Sequence, residues 1–219
     1  MATETQGLSR RERRRLDTKE EILQAARELL LEMGPDELTL RQVARRADFS
    51  PAALYTYFSN RDEIIASLLA ESFSRLDAYL SRVSRELPPD ERVIQLGMAY
   101  MDFARENPMD LRCVLGATSQ DLPPGSGRSV GLEAARLIGE TFREGVEKGV
   151  FVSTRDQTAA EMAFGVWALV HGMVSLSGID LSLVAQDVSP APRRVLEAYV
   201  ARLTAGGAKT TQRVRESGS

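Results

Sequence analysis

The chain has 219 residues, 43% of them hydrophobic and 27% charged, with one cysteine and a formal net charge of −3. This is the balance of a soluble globular protein with a real core in one or two domains. It excludes a disulfide scaffold, since Cys113 has no partner in the chain, and it excludes a uniformly basic nucleic-acid coat.

Residues 1–15 read as a disordered basic arm that ends in Arg10, Arg11, Arg13, Arg14 and Arg15. No apolar run follows them, so no signal peptide is expected and the expected compartment is the cytoplasm. A first helix is predicted from Thr18, with Glu21 completing a capping box and Ile22, Leu23, Ala26, Leu29, Leu30 and Met33 at helical spacing. Gly34-Pro35 ends it. Thr39 caps a second helix, with Gln42 in the box position, and Leu40, Val43, Ala44 and Ala47 form its apolar face. After the turn Asp48-Phe49-Ser50, a third helix is expected over Pro51–Phe58, capped by Ser50 with Pro51 at its first position. Asn60 and Glu63 start a long fourth helix, predicted to run to Pro88-Pro89.

Beyond it, helices are predicted over Asp90–Glu106, then to about Leu115, and over Val130–Lys148, Arg155–Ser177 and Pro192–Thr204. Gly116–Ser129 reads as a loop, 178–191 as a linker and 206–219 as a flexible tail. With no strand pattern the class is all-α. The most apolar stretch, Met162–Leu176, carries His171 and two glycines and reads as a buried helix, not a membrane span.

Two short helices joined by a three-residue turn form a helix-turn-helix at about 39–58, whose second helix would enter the major groove of double-stranded DNA. Between Arg41 and Arg61 stand four arginines and a single acid, Asp48. Arg41, Gln42, Arg45 and Arg46 lie where the second helix can reach phosphate. Pro51, Ala52 and Ala53 are small enough for close approach to base edges, and Ala53 can meet a thymine methyl. Tyr55 and Tyr57 can donate hydroxyls to phosphate, and Arg61 is placed for a further phosphate contact. Base reading then falls to Pro51, Ala52 and Ala53, helped by Gln42 or Tyr55. Spacing alone also fits an ordinary solvated arginine face.

The segment from Leu38 to Ile64 closely resembles the DNA-binding head of the tetracycline-repressor (TetR) family of bacterial transcriptional regulators. The resemblance rests on Thr39-x-Arg41, Val43-Ala44, Ala47, Ser50, Leu54-Tyr55 and Tyr57-Phe58, with Ala25-Ala26, Leu29-Leu30 and Gly34 in the first helix. It covers about residues 16–76. Asp48 stands where the family usually has Gly, and Arg61 where it usually has Lys. The resemblance implies a homodimer that binds a palindromic operator and releases it when a small-molecule effector enters a C-terminal domain over 77–205. No cofactor is implied.

In that half, Trp167-x-x-x-His171-Gly172 and Tyr100-x-x-Phe103-Ala104 are similar to one C-terminal subclass of the family. Tyr100, Phe103, Phe142, Phe164, Trp167 and His171 are candidate lining for a hydrophobic ligand. A lone histidine among apolar residues equally fits a hydrogen-bonded core group. The resemblance further implies a dimer interface on the last two helices, with Ala159, Val166, Val170, Met173, Leu196, Tyr199 and Leu203 partly interfacial. An enzyme is the competing class. It would need Cys113 or a serine to meet His171, and no phosphate or dinucleotide fingerprint supports one. A helical adaptor would explain the fold but not the basic head.

Overall fold

The computed structural model describes residues 9–34, 37–116, 132–155, 157–176 and 192–204. Residues 1–8, most of the predicted loop, the 178–191 linker and the 206–219 tail lie outside the described residues. The described chain is all-α: α1 (Arg10–Met33), α2 (Leu40–Arg46), α3 (Pro51–Leu54), α4 (Arg61–Leu80), α5 (Pro89–Glu106), α6 (Pro108–Gly116), α7 (Leu132–Glu147), α8 (Ala159–Leu176) and α9 (Pro192–Leu203). Its only extended pairings among the described residues are two isolated bridges, Phe151 with Thr204 and Thr154 with Gln157.

The chain divides into two compact units, Met1–Phe73 with Met109–Gly127, and Ser74–Pro108 with Arg128–Ser219. The division falls inside α4, between Phe73 and Ser74. α6 groups with the first unit. Asp110 of α6 is buried and accepts from Ser72 Oγ on α4 at 2.8 Å.

In the first unit, Ile22, Leu23, Ala26 and Leu29 of α1 meet Leu38, Val43, Ala44, Leu54, Phe58, Ile64 and Leu68 in one core. Arg27 is buried beside it and donates to Glu71 at 2.7 Å and to Gln24 at 2.8 Å. In the second unit α5 packs on α7, α8 and α9. Its buried Arg92 donates to Glu144 of α7 at 2.5 Å and to the Leu87 carbonyl at 2.7 Å, and it also holds the Arg85 carbonyl. Those two carbonyls belong to the segment expected to be helical. Arg92 thus secures a non-helical approach to α5, and α4 stops at Leu80 rather than at Pro88.

Two starts also differ from expectation. α1 begins eight residues early, because Ser9 and Glu12 form their own capping box. Residues 10–15 are therefore helix, not arm. α8 begins at Ala159 instead of Arg155, since Thr158 and Glu161 cap each other there. By length and composition α8 could cross a membrane. One of its faces, Met162, Val166, Val170 and Val174, is buried within the chain's own second unit.

Candidate nucleic-acid interface

Three caps set the head's geometry. Thr39 Oγ1 accepts from Gln42 N at 3.3 Å, Ser50 Oγ from Ala53 N at 3.1 Å, and Asn60 Oδ1 from Glu63 N at 2.9 Å. Each fixes the entry of one helix by satisfying an N–H that the helix leaves open. Between α2 and α3 the chain turns through Asp48, whose φ is +58°. Asp48 N–H donates to the Arg45 carbonyl at 3.4 Å and Phe49 N–H to the Ala44 carbonyl at 2.8 Å. This pair of bonds is a Schellman motif, with aspartate in the left-handed position that glycine usually fills. Phe49 then packs against the head core, as the motif requires of the following residue.

α3 is shorter than expected, a single α turn. Past Leu54 the chain tightens: Thr56 N–H donates to Ala53 and Tyr57 N–H to Leu54, both three residues back. The buried Leu54 and Phe58 bracket the segment. Pro51, Ala52 and Tyr55 are exposed, Tyr55 by 56%, while Ala53 and Tyr57 are half-buried. The outer surface thus offers small apolar groups and one tyrosine hydroxyl.

The arginines divide. Arg41 and Arg45 are exposed on α2. Arg46, expected beside them as a phosphate group, turns to α1 and pairs with Glu32 at 2.6 Å and Glu28 at 3.4 Å. These pairs tie α2 to α1. Gln42 is also engaged within the head: its Oε1 accepts from the Thr39 hydroxyl at 2.6 Å and its Nε2 donates to Met33 Sδ at 3.5 Å. A base contact from Gln42 would cost both bonds, which leaves Tyr55 as the better helper for α3. Arg61 opens α4, half-buried, with Asp62 3.8 Å away.

The second unit sorts its expected residues differently. Tyr100, Trp167 and His171 come together: the Tyr100 and His171 rings stack at 4.9 Å, and Trp167 lies 4.3 Å from His171. Phe103 adjoins Tyr100 at 6.3 Å and Phe164 adjoins Trp167 at 5.9 Å. The result is an aromatic ladder from a fully buried Phe103 to a Phe164 that is 64% exposed. Phe142 packs on Phe151 at 4.7 Å and is fully buried. His171 Nδ1 is 3.1 Å from the Trp167 carbonyl, which can only accept, so Nδ1 carries the proton. Nε2 is left to accept from the Tyr100 hydroxyl at 3.2 Å. Burial lowers the His171 pKa, opposed by the Trp167 bond, and pushes that of Tyr100 up to about 12. Both nitrogens of the half-buried His171 have partners within the chain. A cleft of about 320 Å³ opens elsewhere in this unit, lined among others by Asp77, Leu80, Val83, Arg85, Glu133 and Leu137. None of the expected ligand residues lines it.

The expected interface residues Val166, Val170, Leu196 and Leu203 are buried in the chain's own core. Met173 and Tyr199 are half-buried, and the Tyr199 hydroxyl sits against Gly165. The apolar groups that do face outward on α8 and α9 are Phe164, Trp167, Leu176 and Val195. Phe164 and Trp167 are also two of the expected ligand residues. The Cys113 thiol is pushed up by burial, with Ser72 opposing, which makes it a poor nucleophile.

Known proteins agree with this architecture. Residues 22–68 match the family described as bacterial regulatory proteins, tetR family, and residues 93–203 match the tetracyclin repressor-like C-terminal domain. An HTH-type transcriptional regulator of Mycobacterium tuberculosis is 26% identical over 225 residues, covering 86% of this chain and 96% of the relative. Among solved structures, a tetR-family regulatory protein from Rhodococcus RHA1 superposes with a TM-score of 0.68 at 16% identity, over 85% of this chain and 97% of that one. The TetR-family regulator PfmR from Thermus thermophilus does so with a TM-score of 0.64 at 21% identity, over 84% and 97%. A head built on Schellman-turned helices, a separate helical unit and two family matches that together span most of the chain lead to one assignment: this protein is a helix-turn-helix transcriptional regulator and belongs to the TetR family.

Proposed function

We propose that the chain acts in the cytoplasm as a homodimeric repressor. Two heads read the halves of a palindromic operator, and a small hydrophobic effector taken up by the second unit releases them. The observation that carries the dimer is the row of large apolar groups facing outward on α8 and α9, with Trp167 48% and Phe164 64% exposed. Water-facing aromatics in one stripe mark a surface that is covered in use. A two-fold dimer presents its heads with two-fold symmetry, which is why a palindrome is the matching site.

In the head, Arg41, Arg45, Tyr55, Tyr57 and Arg61 hold phosphate while Pro51, Ala52 and Ala53 meet base edges. With so few hydrogen-bonding groups on α3, discrimination leans on methyl contacts and DNA shape. The effector has its best support in the ladder of Tyr100, Trp167 and His171, where a polar ligand atom would take over the Nε2 lone pair now bonded to Tyr100. The activity is binding without a chemical step.

The test combines selection of bound sequences from random DNA with light scattering on the purified chain. The reading expects a palindromic consensus and a dimer, and a Trp167→Glu chain that is monomeric and binds only half-sites weakly. A dimer unaffected by Trp167→Glu, or a consensus without two-fold symmetry, refutes it.

A further inference from the structure

The first two turns of α1 have no role in the head's core. Residues 9–17 are all exposed, including Leu16 at 52%. Yet they are helical, started by the Ser9–Glu12 capping box, in which Ser9 N–H donates to Glu12 at 2.8 Å and Glu12 N–H to Ser9 Oγ at 3.2 Å. Arg10, Arg11, Arg13, Arg14 and Arg15 enter no ion pair and no side-chain hydrogen bond among the described residues, and burial does not restrain them. Several arginines elsewhere are paired, Arg27 with Glu71, Arg46 with Glu32, Arg92 with Glu144, Arg136 with Glu133 and Glu140, and Arg193 with Glu197, whereas the unpaired run here is five arginines within six residues.

An ordinary solvated helix face mixes signs at four-residue spacing. Here the spacing sets arginine over arginine, Arg10 with Arg14 and Arg11 with Arg15, an arrangement that destabilises an isolated helix. A bound polyanion relieves this repulsion. Arg11, Arg15 and Lys19 follow one another at four-residue steps, so they form one stripe about 12 Å long. Its inner end is fixed in place: Lys19 Nζ lies 5.3 Å over the ring of Phe58, the residue that closes the base-reading segment. Asp17 falls on another side of the helix, and Glu12 is occupied with Ser9.

We propose that this overhang is a second DNA-contacting element, with Arg11 and Arg15 lying along the phosphate backbone next to the base-reading segment and outside the helix-turn-helix. The proposal rests on the DNA-binding reading and adds to its footprint. The stripe carries charge with no built pocket, and an α-helix does not fit within a minor groove, so the ligand is the phosphate row itself and the contact is blind to sequence.

The test compares the full-length wild type with R11Q/R15Q, which removes charge at little cost in helix propensity, and R11K/R15K, which keeps it. Affinity for a duplex of arbitrary sequence and for the selected operator is measured against salt. Removing one phosphate contact makes the slope of log K against log salt shallower by about 0.9, so R11Q/R15Q is expected to lose about 2 per bound protomer, on both DNAs alike. R11K/R15K should keep the wild-type slope, and neither variant should melt below the wild type. A wild-type slope for R11Q/R15Q overturns the proposal, as does an equal loss in R11K/R15K. If the wild type itself binds neither DNA while remaining folded, the DNA-binding reading fails, and this proposal with it.

Discussion

Replacing Asp48 tests the turn on which the head depends. Its φ of +58° puts an L-residue in the left-handed region, which costs about 1–2 kcal/mol for most side chains and less for aspartate. Asp48→Gly removes that strain, partly offset by the greater freedom of glycine in the unfolded chain, so a net gain of about 0.5–1 kcal/mol is expected. Asp48→Val places a β-branched side chain there and should lose about 1–2 kcal/mol. For a chain of this size each kcal/mol moves the melting temperature by about 2–4 °C. The order should be Gly, then Asp, then Val, and exchange of the Phe49 amide, which bonds to Ala44, should follow the same order. Asp48 is also the only acid between Arg41 and Arg61. Asp48→Asn keeps the tolerance for this backbone and removes the charge, so it should tighten DNA binding at low salt without moving the melting temperature. A valine variant as stable as the wild type, or a glycine variant less stable, would refute the strained-turn account.

Other outcomes follow from the second unit. Gly165→Ala would set a methyl group on the Tyr199 hydroxyl. It should cost about 1–3 kcal/mol in urea unfolding, and Tyr199→Phe in the same chain should recover part of that. Arg92→Met should cost about 1–3 kcal/mol by leaving the Arg85 and Leu87 carbonyls without their donor and Glu144 with Lys148 alone. Glu144 is held at about 2, well below its ordinary 4.5, by hydrogen bonds from Arg92 and then Lys148. A depressed carboxylate stabilises the fold above its unfolded pKa, so this contribution should fade as pH falls from 4.5 towards 2. His171 has the same sign at higher pH: its folded pKa lies below 6.5, so stability should begin to drop as pH falls through 6.5, and His171→Gln should abolish that first step in a pH series of melts.

What the sequence made legible was local. Thr39 with Gln42, Ser50 with Pro51 and Asn60 with Glu63 each announce a helix start within four residues, and the structure uses all three. The start of α1 was ambiguous because two capping boxes lie nine residues apart, Ser9–Glu12 and Thr18–Glu21, and no apolar residue between Arg10 and Arg15 bears a period that could choose between them. Non-local facts were hidden. Arg92 looks like any surface arginine, and its partner Glu144 is 52 residues away. Val166 and Trp167 are equally apolar neighbours on α8, yet the first is core and the second exposed, because packing on α5, α7 and α9 selects the face. Arg46 and Arg45 are adjacent and identical, and only the position of Glu32 on α1 separates brace from candidate phosphate ligand.

The single turn of α3 separates two sets of constraints. Ser50 starts it, and Leu54 and Phe58 seat it in the core. A helix this short has almost no stability of its own, so these three positions determine its shape. Pro51, Ala52, Tyr55 and Thr56 face outward and contribute little to the core. On the proposed reading, in which these outward positions meet DNA, lineages of this head can rewrite the outward letters while the scaffold beneath stays unchanged.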